Sequence, residues 1–168
     1  MGRDARNRYA VARYRSNRAD RRGLGGGDLI SRAVPLLDTC AAIWLMNGEP
    51  LSRQARETIS AAQAANLGVF VSPISAWELA TLVARNRVRL TLSPDAWFDA
   101  LLALPGVRLA VMEPSILVAS VNLPGAPPKD PADRIIAATA RAFGYAVVTR
   151  DGELSDYAKA GHIALVIC

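Results

Sequence analysis

The sequence predicts a three-layer α/β/α domain built on a central, mostly parallel sheet of four to five strands. Three observations predict it. From Val34 onward, short apolar runs alternate with helix-like segments, the pattern of strand–helix–strand crossovers. The runs are apolar almost without interruption, as in strands buried on both faces. A chain of 168 residues is long enough for one domain with a proper core and too short for two ordinary ones.

The first strand is expected over residues 34–37, where Pro35 is tolerable because it stands at the strand's start. Helical segments follow over 39–46 and 52–66; Ser52 is placed to cap the second, in which Ala55, Ile59 and Ala62 keep a period near 3.6. Residues 68–71 read as a second strand. The next helix, 75–86, has Ser75 at its N-cap and Glu78 three residues on, the spacing of a capping box. Ser93-Pro94-Asp95 opens another helix, since Ser caps and Pro suits the first turn, and Pro105-Gly106 stops it. A third strand is expected over 107–112 and a short helix over 114–122. A Pro-rich loop, 123–129, delivers the chain to Asp130-Pro131, the start of an Ala-rich helix that ends near Gly144. A fourth strand (145–148), a short helix (153–159) and a fifth strand (163–167) complete the domain.

Half of the residues are apolar (51%) and a fifth charged (21%), the balance of a globular protein. The longest apolar stretch, 33–46, is broken by Asp38 and falls short of the roughly 18 residues a spanning helix needs, so no membrane association is expected. Residues 1–33 hold no apolar segment that could act as a secretory signal. The two cysteines, Cys40 and Cys168, form neither a CxxC pair nor a zinc-type spacing, and a reducing, cytoplasmic location fits them.

The net charge of +5 suggests nucleic acid until it is divided along the chain. The first 33 residues carry nine Arg and three Asp, or +6, which leaves 11 basic and 12 acidic residues thereafter, or −1. Residues 1–33 thus read as a disordered Arg-rich arm that contacts RNA, or as an upstream extension of the reading frame absent from the native protein. Residues 34–168 form the domain.

Four acids stand just past apolar runs or at helix starts: Asp38, Glu78, Asp133 and Asp151. Each has a structural reading. Asp38 could cap the helix that follows, Glu78 belongs to the capping box, and Asp151 before Gly152 could be a turn aspartate. Asp130, followed by Pro, is best read as a cap, which leaves Asp133 one turn in and free to act as a ligand near the positive end of the helix dipole. Taken together the acids point to a shared pocket, because ligands gather at the carboxyl ends of parallel strands, and Asp38 and Asp151 both follow strands. Converging carboxylates raise each other's pKa unless a cation neutralises them. Oxygen ligands without His or Cys select a hard ion, so Mg²⁺ is expected, with Mn²⁺ as a substitute. Such a centre activates water against a phosphodiester.

Leu36-Leu37-Asp38-Thr39 with Trp44-Leu45, then Ser72-Pro73-Ile74-Ser75-Ala76-Trp77-Glu78-Leu79-Ala80, Asp130-Pro131-Ala132-Asp133-Arg134-Ile135-Ile136-Ala137-Ala138-Thr139-Ala140, and Val148-Thr149-Arg150-Asp151 resemble, in order and spacing, the PIN-domain ribonuclease toxins of VapC type. The match runs from Val34 to the C-terminus; each motif is weak alone and the ordered set is strong. The resemblance implies a Mg²⁺-dependent endoribonuclease, the toxin of a type II toxin–antitoxin system, working as a homodimer and inhibited by a small antitoxin that blocks the acidic pocket. By position, Asp38, Glu78, Asp133 and Asp151 are the catalytic, metal-binding acids, and Thr149 supports them by hydrogen bonding. Asp130 and Asp156 are further acid candidates, Asp156 also reading as a solvated helix residue. In this subfamily a His often follows the first Asp-Thr and another precedes Asp-Pro by two positions; here Cys40 and Pro128 stand there, so no role passes to those sites. Because such proteins commonly begin shortly before the first aspartate, the resemblance also implies a start near Val34.

Arg85, Arg87 and Arg89 form the best basic cluster of the body, suited to RNA phosphates or to a solvated helix end. Trp44, Trp77 and Trp97 are expected to pack in the core or a dimer interface, and His162 to be a surface or capping residue. Two other readings stay open. A phospho-acceptor receiver domain also gathers carboxylates, but it needs paired acids at the first strand and a late Lys, where this chain has a single Asp38 and Arg150. A catalytically inactive PIN-fold module that binds RNA or a partner would keep the fold without turnover.

Overall fold

The computed structural model describes residues 33–168. The arm expected over residues 1–33 therefore lies, but for Ala33, outside the described residues. Five strands, β1 (Pro35–Leu37), β2 (Val69–Val71), β3 (Val107–Leu109), β4 (Ala146–Thr149) and β5 (Ala164–Ile167), form one sheet in the order β3-β2-β1-β4-β5, with every neighbouring pair parallel. Seven helices connect them: α1 (Thr39–Asn47), α2 (Arg53–Ala64), α3 (Ile74–Ala84), α4 (Pro94–Leu102), α5 (Pro114–Val121), α6 (Pro131–Phe143) and α7 (Gly152–Lys159). The α/β/α architecture agrees with the sequence, and the sheet is fully parallel.

Period-two alternation sorts the core into two halves. Leu37, Val69, Val71, Val107, Val148 and Val166 point to one face, where Ala41, Ile43, Ala55, Ile59, Leu79, Trp97, Phe98 and Leu101 from α1 to α4 cover them. Leu36 and Val147 point to the other, against Ile136, Ala137 and Ala140 of α6 and Leu154 and Tyr157 of α7. The alanines of α6 let that helix lie close to the sheet.

The chain leaves β1 toward β2 and β3, then crosses back to β4 on the far side of β1. A topological switch point thus falls between β1 and β4, and a crevice opens outside their carboxyl ends. Asp38 follows β1 and Asp151 follows β4 by one residue, so the topology alone brings them to its mouth.

Several local expectations are corrected. The third strand stops at Leu109, three residues early, because β3 is an edge strand with only β2 to pair with. The expected capping box at Ser75 and Glu78 does not form: Pro73 already has helical φ/ψ and Ser72 turns the chain, its carbonyl accepting from the Ser75 N–H. The helix therefore starts at Ile74, and Ser75 lies inside it with a buried hydroxyl that has no hydrogen-bond partner among the described residues. Ser52 caps α2 as expected, its Oγ accepting from the Ala55 N–H at 3.0 Å. Trp97 is in the core and Trp44 half-buried, but Trp77 is 60% exposed. His162 is half-buried and stacks on Tyr157 with centroids 4.6 Å apart, rather than standing free on the surface.

Leu36, at the centre of the sheet and fully buried, tests this arrangement. Leu36→Ala should lower unfolding stability by about 3 kcal/mol, within the ~2–5 kcal/mol of buried Leu truncations. Val118→Ala on the outer surface of α5 should change it by no more than about 0.5 kcal/mol. Urea denaturation of both variants, giving equal losses, would contradict the assigned core.

Candidate active site

Asp38 is the most buried of the acids, at 5% exposure. It is the N-cap of α1, its Oδ1 accepting from the Ala41 N–H at 2.5 Å. Its Oδ2 accepts from the Thr149 hydroxyl, which is fully buried at the end of β4. The same hydroxyl accepts from the Asp151 N–H at 2.8 Å, so Thr149 ties the first and last acids of the set together. Asp151 caps α7, its Oδ1 accepting from the Leu154 N–H at 2.9 Å, and is not a simple turn aspartate before Gly152.

Glu78 reaches the same crevice from α3, one turn past that helix's start. The Thr39 hydroxyl donates to its Oε2 at 2.5 Å, linking α3 to the first residue of α1. Asp130 behaves as the sequence suggested: it caps α6, with Oδ1 accepting from the N–H groups of Ala132 at 2.7 Å and Asp133 at 3.3 Å. Asp133 follows in the first turn of α6, and its carboxylate makes no hydrogen bond among the described residues.

The electrostatics show that the four acids converge. Burial pushes the Asp38 carboxyl up to about 6, against hydrogen bonds from Thr149 and Ala41 that favour its charged form, and Glu78 and Asp151 raise it further. Burial and then the charges of Asp151, Asp130, Glu78 and Asp38 push Asp133 up to about 8. Glu78 is raised as well, by burial first and then by Asp130 and Asp151. Cys40, exposed at the mouth, reports the whole cluster: desolvation of its thiol, then Asp38, Glu78, Asp133 and Asp151, push it up to about 12.

A hard divalent cation suits this donor set, which is all carboxylate and carries negative charge it cannot itself neutralise. Among the described residues, no three Asp, Glu, His or Cys groups stand together as a ready-made cage. An ion held through one or two carboxylates and its own waters, the habit of Mg²⁺, fits that spacing better than an ion needing a closed protein shell.

The remaining candidates lie elsewhere. Asp156 is exposed on α7 and pairs with Lys159 at 2.7 Å; it does not join the acids. Arg85, Arg87 and Arg89 are exposed past the end of α3. Two residues near the site have roles that their sequence context does not announce. Thr39 stands beside Asp38 at the start of α1, where its hydroxyl is a plain hydrogen-bond donor. Arg150 places its guanidinium 4.2 Å from the centre of the Trp44 ring and donates to the carbonyls of Cys168 and Pro50, the latter at 2.9 Å. It anchors the segment between Thr149 and Asp151, and no local pattern announces contacts of that sequence separation.

A model of the PIN domain matches residues 36–160, most of the chain and all four acids. The chain belongs to the PIN-domain family. Within it, this PIN domain is of the VapC type: over 124 residues it is 36% identical to Ribonuclease VapC22 of Mycobacterium tuberculosis, covering 73% of this chain and 90% of that protein. Its fold is also similar to chains in two crystal structures of DNA-bound complexes. One is VapBC2 from Rickettsia felis bound to a promoter fragment (TM-score 0.56, 14% identity, 80% of this chain and 98% of that one). The other is VapBC from Salmonella typhimurium (TM-score 0.50, 20% identity, 80% and 98%).

The raised acids make the stability of this PIN domain depend on pH in a defined sense. Folded carboxyls near 6 and 8 hold protons that the unfolded chain, near 3.8, has released. The contribution is therefore fully present below about pH 4 and is lost as pH rises through 6 and then 8. In EDTA, Asp133→Asn should raise the melting temperature at pH 8.5 by about 2–4 °C, the shift for ~1 kcal/mol in a domain of this size, after discounting for the solvent that reaches this half-buried residue. At pH 5 the variant and wild type should melt nearly together. Thermal scans showing the same difference at both values would refute the charge cluster.

Proposed function

We propose that this PIN domain is a Mg²⁺-dependent endoribonuclease, the toxin of a type II toxin–antitoxin pair. The observation that carries the reading is the convergence of Asp38, Glu78, Asp133 and Asp151 at the switch point between β1 and β4. It is supported by the likeness to a protein named as a ribonuclease, VapC22. The structural neighbours, solved as VapBC complexes, support a small antitoxin as partner.

The four carboxylates would hold the cation, with Mn²⁺ as a substitute. When bound, the ion supplies neutralisation of the acids and activation of water near a phosphodiester. The protein's own part is orientation. Thr149 fixes the plane of the Asp38 carboxylate, Thr39 fixes Glu78, and the caps of α1, α6 and α7 hold the starts of three helices around the crevice. Asp133, whose carboxylate has no hydrogen bond among the described residues, is the acid freest to turn toward an ion. Attack by water rather than by the ribose 2′-hydroxyl would leave a 3′-hydroxyl and a 5′-phosphate. Arg85, Arg87 and Arg89 are exposed and available to phosphates. Trp77, Val118 and Val121, apolar and more than half exposed, offer surface to a second copy in a homodimer and to the antitoxin. Among the described residues no helix is long and apolar enough to cross a membrane.

Incubation with total RNA and Mg²⁺ should yield discrete fragments ending in 5′-phosphate, and EDTA should abolish them. Asp38→Asn should slow cleavage by about 10²–10³-fold, the scale for losing one group that steadies transition-state charge. Undiminished cleavage by Asp38→Asn, or 2′,3′-cyclic phosphate ends, would overturn the assignment.

A further inference from the structure

The face of the sheet under α6 and α7 is covered unevenly. Register sets Arg108, Phe70, Leu36, Val147 and Leu165 side by side across the five strands, so their side chains project to one face. α6 seals the middle of this row, where Leu36 and Val147 are fully buried. Toward β2 and β3 the cover is thinner, because α5 packs chiefly on α6 rather than on the strands. Phe70 and Arg108 are left on the wall of a groove of about 1070 Å³.

The chemistry of that wall is distinctive. The rings of Phe70, Tyr145 and Phe143 form a stacked row, with centroids 4.6 and 5.5 Å apart. The Tyr145 hydroxyl, raised to about 12 by burial, has no hydrogen-bond partner among the described residues. Arg108 and Arg141 line the groove, and among the described residues no Asp or Glu does. Arg108 is held in place: its stem lies over Gly68, where a Cβ would come within 3.0 Å of its Cδ, and its Nη2 donates to Asn66 Oδ1 at 3.2 Å. Arg141 is steadied by donating to the His162 carbonyl at 2.7 Å.

We propose that this groove binds single-stranded RNA flanking the scissile bond, with a base against the aromatic row and phosphates on Arg108 and Arg141. The proposal rests on the ribonuclease reading above and adds a second contact region to it. Aromatic rings, a phenol without a partner among the described residues and two arginines can serve a base and a phosphate together, the usual means of holding single strands. An acidic peptide could satisfy the arginines and the phenol but offers no base to the aromatic rings. Leu123 and Pro124, at the head of the loop that ends at Asp130, also line the groove. Along α6, Asp133 and Arg141 are about 12 Å apart at 1.5 Å per residue, a reach that a few extended nucleotides span.

The test uses the full chain in EDTA with a fluorescently labelled single-stranded oligoribonucleotide, read by anisotropy. Arg108→Ala should weaken binding about tenfold and reduce the slope of log affinity against log salt by about 0.7, the contribution of one phosphate contact. Tyr145→Phe, which keeps the ring, should weaken binding about threefold through one lost hydrogen bond. With Mg²⁺, both variants should cleave a dinucleotide, too short to reach the groove, at the wild-type rate. If both bind the long RNA as wild type does, or lose affinity only for an acidic peptide, the groove is misassigned while the ribonuclease reading stands. If wild type neither binds nor cleaves RNA, that reading fails and the RNA groove falls with it.

Discussion

The Thr149 hydroxyl is the joint on which the site turns. It has one proton to give and gives it to Asp38; its lone pairs then accept from the Asp151 N–H. Because Asp38 follows β1 and Thr149 ends β4, this one buried group fixes the two central strands to each other at their carboxyl ends. The Asp38 N–H donates in turn to the Val148 carbonyl at 3.2 Å, extending the ladder into the crevice. A buried carboxylate without such partners would be costly, since desolvation of a charge exceeds what an isolated group can recover. Here the fold supplies two donors to Asp38 and leaves little freedom in where its oxygens lie.

Comparison of Asp38 with Asp133 shows which effect decides a carboxyl's state. Asp38 is the more deeply buried, yet it is raised only to about 6, whereas Asp133 is raised to about 8. Hydrogen bonds account for the smaller rise at Asp38, which accepts from Thr149 and Ala41, whereas Asp133 accepts from no described residue. A position in the first turn of α6 favours charge at Asp133, but a helix terminus contributes only about 0.3–1 kcal/mol at exposed sites. Burial and four neighbouring acids outweigh it. The cluster is thus held in a state that the proposed cation would relieve, the local inconsistency expected where function rather than stability shapes a site.

Much of this was legible in the sequence because it follows from short-range rules. Apolar runs gave the strands, Asp130-Pro131 gave the start of α6, and the position of acids just past strands gave the crevice. What escaped depends on neighbours distant in the chain. Ser75 had the local look of a cap, but Pro73 already adopts helical φ/ψ and moves the start of α3 upstream. Thr39 acts on Glu78 across 39 positions, and Arg150 on Pro50 across 100. The end of β3 reflects its place at the sheet's edge, which only the strand order reveals. The long-range partners of a side chain are set by topology, and topology is what periodicity alone does not determine.

α6 joins the two ends of the molecule's chemistry. Its first turn carries Asp133, and immediately after it Arg134 donates to the carbonyls of Ser120 at 2.9 Å, Val121 at 2.9 Å and Pro128 at 3.3 Å. These carbonyls lie at the end of α5 and in the following loop, where helix geometry leaves acceptors without intrahelical partners. One guanidinium therefore fixes α5, the loop and the start of α6 as a unit. Its far end carries Arg141 and Phe143 on the groove wall. Since the domain from Val34 onward has a net charge of only −1, the proposed affinity for RNA would have to come from such local placement of cations and rings rather than from a basic body. A rigid, Ala-rich helix with an acid at one end and an arginine at the other sets the spacing between the acidic crevice and the groove by its length, and Arg134 keeps that spacing constant.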